Sequence, residues 1–365
     1  MLTSTSCPKL PSLPMTLFLL DARTATFHFP GIGRYVASLV PALTTQLEAG
    51  ESLLLAVGSE GLPPALAASQ APAVPVRASP FSLAQQWQLP RLLRHLTAEE
   101  GPLLYHSAYY LMPYRPGVPT VLTFYDLIPL LYPESVSRRA RLLFQLTTRL
   151  ALHAADHVLA ISEASRRDLL TRFKVAPERV TTAPLAAAAR FSPQPAAALD
   201  AVRAKYDLRT PFLLYVGINK PHKNLVTLVE AFVRARRGAW RLVIAGAWDP
   251  RYPQARTAAA ELAPGDAVRF LGPIDEDDLP ALYAAAEAFV FPSRYEGFGL
   301  PVLEAMACGA AVACSNVSSL PEIAGEAALL FPPEDQEAMA QTLARLMDDA
   351  ALRTRLREKS LVRAA

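Results

Sequence analysis

Short apolar runs recur along the chain, separated by longer stretches whose apolar positions have helical spacing. The runs at 16–20, 52–57, 103–105, 121–124 and 157–161 read as strands, and helical patterns cover about 33–48, 136–156 and 163–173. A second series starts at 212–216 and continues at 241–245, 268–271, 288–291, 311–314 and 328–331. Unbroken apolar runs alternating with helices predict parallel sheets built from βαβ units. Between the two series lie Arg190-Phe191-Ser192-Pro193-Gln194-Pro195 and an alanine-rich helix to about 205. The expected organisation is a disordered leader over 1–14, a first domain over 15–190, a linker over 191–207 and a second domain over 208–365. One helical pattern covers 335–362, close to Ala365.

Composition adds limits. A chain of 365 residues suits two domains, and 52% hydrophobic with 19% charged residues suffices for two cores. A formal net charge of +3 gives no case for nucleic acid as a partner. Cys7, Cys308 and Cys314 form no C-x-x-C pattern and read as reduced thiols, which points to a cytoplasmic setting. No apolar run approaches the length of a membrane-spanning helix, and the run after Met15 is too short for a signal peptide.

The most informative chemistry lies at 294–309, Arg-Tyr-Glu-Gly-Phe-Gly-Leu-Pro-Val-Leu-Glu-Ala-Met-Ala-Cys-Gly. Glu296 and Glu304 stand eight residues apart across a glycine turn that follows a strand and opens a helix. Pro301 suits the first helical turn and Gly309 the position past the end. A helix entrance of this kind attracts anions through its free N–H groups and dipole. The carboxylates would repel phosphate, so they are expected to accept hydrogen bonds from hydroxyls. A ligand carrying both phosphate and sugar satisfies both. A second entrance follows the strand at 212–216. There Gly217-Ile218-Asn219-Lys220-Pro221-His222-Lys223-Asn224-Leu225 puts Lys223 where it could hold a diphosphate, with Asn224 as a candidate N-cap.

The string from Arg294 to Gly309 resembles the E-x7-E motif of the retaining glycosyltransferases of family 4. The resemblance implies a GT-B fold: two Rossmann-like, doubly wound parallel-sheet α/β domains facing across a cleft. It also implies transfer of a hexosyl group, of mannose or glucose type, from a GDP- or UDP-linked sugar to a hydroxyl of a glycan or lipid-linked acceptor. Segment 217–225 is similar to the family's G-x4-R-K-N, with His222 where an arginine is usual and Lys223 on the phosphates. Pro273 and Ile274 would lie along the nucleobase, and Glu304 would hold the ribose. Glu296 with Gly297, Phe298, Gly299 and Leu300 would face the sugar and its phosphate. Gly31 and Gly33, in Gly-Ile-Gly-Arg-Tyr, resemble the first-domain glycine loop. Tyr125 stands where related enzymes have a histidine against the donor sugar, and Asp126 would orient that loop through backbone N–H groups. Catalytic roles fall to Glu296, Lys223 and Tyr125. The loop 315–325 would support the two glutamates.

The family resemblance implies neither metal nor resident cofactor, the nucleotide sugar being a substrate. The acidic run Asp275-Glu276-Asp277-Asp278 reads as a helix start rather than a metal site. The stretch 137–144 is basic on one face, so peripheral contact with the inner face of a membrane joins the expected partners. The helix pattern at the end stops where relatives usually add another helix, which suggests truncation. The alternatives are a non-catalytic nucleotide-sugar-binding protein and another GT-B enzyme such as a nucleotide-sugar epimerase.

Overall fold

A computed structural model describes residues 16–26, 30–59, 61–62, 66, 69–263 and 265–365. The expected leader at 1–14 lies outside them. The chain forms two compact units, Met1–Phe124 with Leu143–Leu159 and Phe173–Thr181, and Tyr125–Leu142 with Ala160–Arg172 and Thr182–Ala365. Segments 125–142 and 160–172, expected in the first domain, thus group with the second half of the chain. Hydrogen bonds to the loop after residue 295 hold them there, as described below.

The first unit carries a sheet of β1 (Thr16–Asp21), β2 (Glu51–Val57), β3 (Ala73–Pro75), β4 (Leu103–Ser107), β5 (Thr120–Phe124), β6 (His157–Ala160) and β7 (Val180–Thr182). The order is β3-β2-β1-β4-β5-β6-β7. The second sheet comprises β8 (Phe212–Val216), β9 (Arg241–Ala245), β10 (Val268–Gly272), β11 (Ala288–Phe291), β12 (Val312–Ser315) and β13 (Ala328–Phe331), in the order β10-β9-β8-β11-β12-β13. Its five pairings are all parallel. Central strands β11 and β12 are buried along their whole length, which explains their unbroken apolar sequence.

In both sheets the strand order reverses direction beside the first strand of the set. Ligands of open α/β sheets bind outside the carboxyl ends at such a switch point. In the second unit that point is flanked by β8 and β11, which pair through Ala288 with Leu213 and Phe289 with Leu214. Helix Leu225–Ala235 covers the sheet with Leu228, Val229 and Phe232, all fully buried, and this fixes where the loop before it begins.

Two expected features take a different form, and three elements were not expected. The alanine-rich helix expected within 191–207 forms over Ala196–Lys205, but the segment read as linker is packed into the second core, where Phe191 and Val202 are buried. The helical run at 335–362 is two helices, Gln336–Asp348 and Ala350–Ala364; Asp349 breaks it and caps the second by accepting from Leu352 N–H at 2.8 Å. The helix Gln85–Glu100 and the three-residue strands β3 and β7 carry no clear pattern in the sequence.

Candidate active site at the carboxyl edge of the second sheet

Buried polar side chains concentrate in the loops that leave β8, β11 and β12: Asn219, His222, Asn224, Ser293, Glu296, Ser315 and Ser319, with Glu304 on the following helix. Polar groups withdrawn from water need partners, so their partners define the site.

The loop after β8 starts at Gly217, whose φ of 154° suits glycine. Gly246, after β9, has φ 129°, and a Cβ there would lie 2.4 Å from Gly217 O, so the two loops meet backbone to backbone. Asn219 locks them further: its Nδ2 donates to the carbonyls of Asp249 and Tyr252, and its Oδ1 accepts from Asp249 N–H at 2.6 Å. A single turn of 3₁₀ helix, Pro221–Lys223, follows. Asn224 then takes a left-handed conformation with φ 60°. The expected N-cap bond is absent; Asn224 Oδ1 accepts from the Thr227 hydroxyl and Nδ2 donates to Pro333 O, because the left-handed backbone turns the side chain away from the helix N–H groups.

His222 is buried at 2% exposure. Burial, aided by the positive charges of Lys223 and Lys220, lowers its pKa to about 3, so the imidazole is neutral at physiological pH. It cannot replace the permanent charge of an arginine, and its Nδ1 has no hydrogen-bond partner among the described residues. Tyr132 packs beside the ring at 5.7 Å.

Lys223 and Glu296, 73 residues apart, form an ion pair of 2.6 Å, with side chains 15% and 10% exposed. The cation expected on phosphate and the carboxylate expected on sugar are therefore neighbours. The Lys223 ammonium also lies 5.3 Å from the centre of the Phe291 ring.

The Glu296 loop is held through its backbone groups by serine hydroxyls of the loop after β12. Glu296 N–H donates to Ser318 Oγ at 3.0 Å, and Ser319 Oγ donates to the carbonyls of Glu296 and Phe298. The loop 315–325 thus supports this segment as expected. Gly299, with φ 111°, lets the chain turn into the helix Leu300–Ala307. At Gly297 a Cβ would stand 2.5 Å from Tyr125 O and 2.9 Å from Asp126 Cβ. Ser162 Oγ and Ser165 Oγ donate to Gly297 O at 2.6 and 3.0 Å, and Ser165 Oγ also reaches Tyr125 O at 2.6 Å. These serines clamp the Tyr125–Asp126 turn onto the glycine, and nothing in the sequence pointed to them except an N-cap spacing at 162–165. Asp126 accepts from Ile128 N–H at 2.9 Å, orienting its loop as expected. Burial pushes its pKa up, opposed by that hydrogen bond, with nearby Glu296 adding to the rise. The Tyr125 side chain is half-buried and packs against the second core.

Glu304 lies in the helix Leu300–Ala307 at 3% exposure, and the Tyr283 hydroxyl donates to its Oε2 at 3.1 Å. Tyr283 belongs to no motif in the sequence. Pro273 and Ile274 follow β10, next to Gly272, whose carbonyl accepts from Gly246 N–H at 2.7 Å. The run at 275–278 does not cap its helix through a side chain. Asp275 and Asp278 pair with Lys205 at 2.6 Å, and Arg190 pairs with Glu276. Gly31 and Gly33 belong to the first unit and sit inside the first turn of the helix Pro30–Gln46 rather than in a loop before it. A Cβ on Gly33 would come within 3.4 Å of Thr26 O, so the glycine lets that turn sit close to the preceding segment.

With these loops in place, the comparison with known proteins is direct. The family model described as glycosyl transferases group 1 matches residues 200–362, and the one described as Glycosyltransferase Family 4 matches residues 30–186. The chain belongs to glycosyltransferase family 4. Its fold is GT-B, the expected class. This family 4 chain is 35% identical over 256 residues to the O-antigen chain mannosyltransferase B of Escherichia coli, which covers 68% of the chain and 66% of that protein. It is 31% identical over 255 residues to the serotype-specific mannosyltransferase WbdA of Escherichia coli, covering 67% of the chain and 31% of WbdA. The chain thus spans about two thirds or less of the length of these relatives. Among solved structures it resembles a sucrose-phosphate synthase from Thermosynechococcus elongatus, with TM-score 0.73 and 24% identity over 96% of this chain and 94% of that one. It also resembles HepE of Anabaena in complex with UDP-glucose, with TM-score 0.75 and 17% identity over 96% and 94% of the two chains.

Proposed function

We propose that this family 4 chain is a retaining hexosyltransferase that moves a mannosyl group from a nucleoside-diphosphate sugar to a hydroxyl of a glycan or lipid-linked acceptor. The observation that carries the proposal is the buried Lys223–Glu296 pair of 2.6 Å at the switch point of the second sheet. It offers a cation for a diphosphate and, against it, a carboxylate for sugar hydroxyls. The mannosyltransferase names of the relatives support the choice of sugar.

Each role follows from chemistry. Glu304, buried and held by Tyr283, accepts from the two vicinal ribose hydroxyls. Lys223 neutralises charge that grows on the phosphate as the glycosidic bond breaks, and it does so in a site where water is scarce. Glu296 orients the sugar, and Tyr125 donates a hydrogen bond to it. No side chain is assigned as an enzymic nucleophile, so the acceptor hydroxyl attacks from the face the phosphate leaves, and the departing phosphate takes its proton. Positioning supplies the rest.

The test is a panel of GDP- and UDP-sugars, scored by release of nucleoside diphosphate with and without mannoside acceptors, for the parent and Tyr125→Phe. Turnover of GDP-mannose, lowered in Tyr125→Phe, supports the reading. Binding of the donor without release of nucleoside diphosphate under any condition overturns it in favour of a non-catalytic binder.

A further inference from the structure

We infer that the carboxyl edge of the first sheet holds a second carbohydrate site, which takes a pyranose oligosaccharide. It has a hydroxyl-reading row at Tyr35, Thr123 and His106, a stacking face at Tyr109 and Tyr110, and a further platform at Phe81 and Trp87. The inference rests on the transferase reading only in calling that sugar chain the acceptor. Topology sets the place. Strands β1 to β5 pair in parallel, so the chain leaves β3, β4 and β5, and enters the helix Pro30–Gln46 from β1, at one edge. The strand order reverses between β1 and β4, where open α/β sheets take their ligands.

A set of polar side chains gathers at that edge. Asp21 and Arg23, both buried, form an ion pair of 2.6 Å, and the Tyr105 hydroxyl donates to Asp21 Oδ2 at 2.7 Å. Arg23 also donates to Ala78 O at 2.8 Å and Gln85 Oε1 at 3.2 Å, so the pair, costly to desolvate, fastens segment 78–85 to the end of β1. Next to it, His106 Nε2 and the Tyr35 hydroxyl lie 2.8 and 2.9 Å from the oxygen of buried Thr123. The second ring nitrogen of half-buried His106 has no partner among the described residues. Burial lowers the His106 pKa to about 4, against the pull of Asp21, so the ring is neutral. A neutral imidazole donates through one nitrogen and accepts through the other, which matches hydroxyls that also do both.

Rings complete the match. Tyr109 and Tyr110 follow β4 with ring centres 4.3 Å apart and hydroxyls 3.0 Å apart, and Phe144 braces Tyr110 edge-on at 4.9 Å. A pyranose has an apolar C–H face and a rim of hydroxyls, so a ring face and a hydroxyl row together suit one sugar. Phe81 and Trp87 are 63% and 59% exposed, yet their segment is fixed. Besides the bonds from Arg23, Gln86 donates to Met112 O at 3.0 Å and accepts from Tyr114 N–H at 2.9 Å, which ties the platform to the segment carrying Tyr109 and Tyr110. Exposed rings on a fastened segment mark an interaction surface. A purely apolar partner would use the rings and leave the His106 nitrogen without a bond, whereas a sugar chain uses both. Two ring sets at one edge call for more than a single sugar.

The experiment is saturation-transfer NMR of the full chain with methyl α-mannoside, α-mannobiose and α-mannotriose. The expected result is an affinity that rises about tenfold from the monosaccharide to the triose. Phe81→Ala/Trp87→Ala should erase that gain and leave the monosaccharide affinity as in the parent. His106→Ala should weaken all three sugars about tenfold, and His106→Gln, which keeps a donor and an acceptor, should weaken them less. Tyr110→Ala gives a second reading of the same subsite should His106→Ala misfold. In transfer assays Trp87→Ala should raise KM for the triose and spare kcat, with nucleoside diphosphate binding unchanged. Sugar binding with this pattern but no transfer supports the site and fails the transferase reading alone. Transfer with no gain from chain length overturns the inference and leaves that reading standing. Equal losses for all sugars in Phe81→Ala/Trp87→Ala also overturn it, as does a parent dimer that this variant converts to monomer, since a second copy would then cover the rings.

Discussion

Separating Lys223 from Glu296 tests both the geometry and the assigned roles. The pair is 2.6 Å long with side chains 15% and 10% exposed, so water screens it poorly. Removing one partner of a buried pair costs about 3–5 kcal/mol, and partial exposure brings this down to about 2–3 kcal/mol for Lys223→Met. That variant also leaves Glu296 facing Asp126 without a cation between them, since both carboxylates feel Lys223 in the intact site. Glu296→Gln keeps the shape and should cost less, about 1 kcal/mol, because Lys223 still has Asp126 nearby. In the double variant neither charge is stranded, so the losses should not add. A coupling energy of about 2 kcal/mol is expected from urea unfolding of the four proteins. The same variants read function by calorimetry. Lys223→Met should lose about ten- to a hundredfold in affinity for a nucleoside diphosphate and little for the bare nucleoside. Glu296→Gln should spare both. Coupling below about 0.5 kcal/mol, or equal losses for the two ligands, refutes the reasoning.

Glu304→Ala should weaken nucleoside and nucleoside diphosphate alike by about 1–3 kcal/mol, because ribose loses its acceptor in both; calorimetry with the two ligands checks it. Gly297→Ala should destabilise the second unit by about 2–4 kcal/mol in denaturant unfolding, since its Cβ would meet Tyr125 O at 2.5 Å and push the turn off Ser162 and Ser165. His222, held down at about 3 by burial, stays unprotonated in the fold while the unfolded chain takes up its proton near pH 6.5. Stability should therefore be full above that pH and fall by up to about 1.4 kcal/mol per unit as pH drops from 6.5 toward 3; His222→Gln should flatten the slope.

The fold was legible because each central strand is covered on both sides and must be apolar throughout, as in β8 and β11. What escaped has physical causes. Strands β3 and β7 have three residues each, too few for a period, and the helix Gln85–Glu100 contains Pro90, which reads as a break. The positions of the candidate residues were legible where they follow strands, as Lys223 and Glu296 do. Their pairing was not, and neither were Ser162 against Gly297 and Tyr283 against Glu304, because such contacts join residues from 21 to 135 positions apart through tertiary packing. Local pattern likewise showed that the helix Arg138–Ala154 has two faces but not that its leucines point outward.

The central claim is that this chain transfers a hexose from a nucleotide sugar without a metal. Its most direct test is mass spectrometry of a mannoside acceptor incubated with isotopically labelled GDP-mannose in excess chelator, with the anomeric configuration of the new linkage read by proton NMR. The account predicts one labelled hexose added to the acceptor, in the α configuration of the donor, by the parent and not by Lys223→Met. An unlabelled acceptor despite tight donor binding, a β linkage, or labelling that appears only when manganese or magnesium is restored would contradict it.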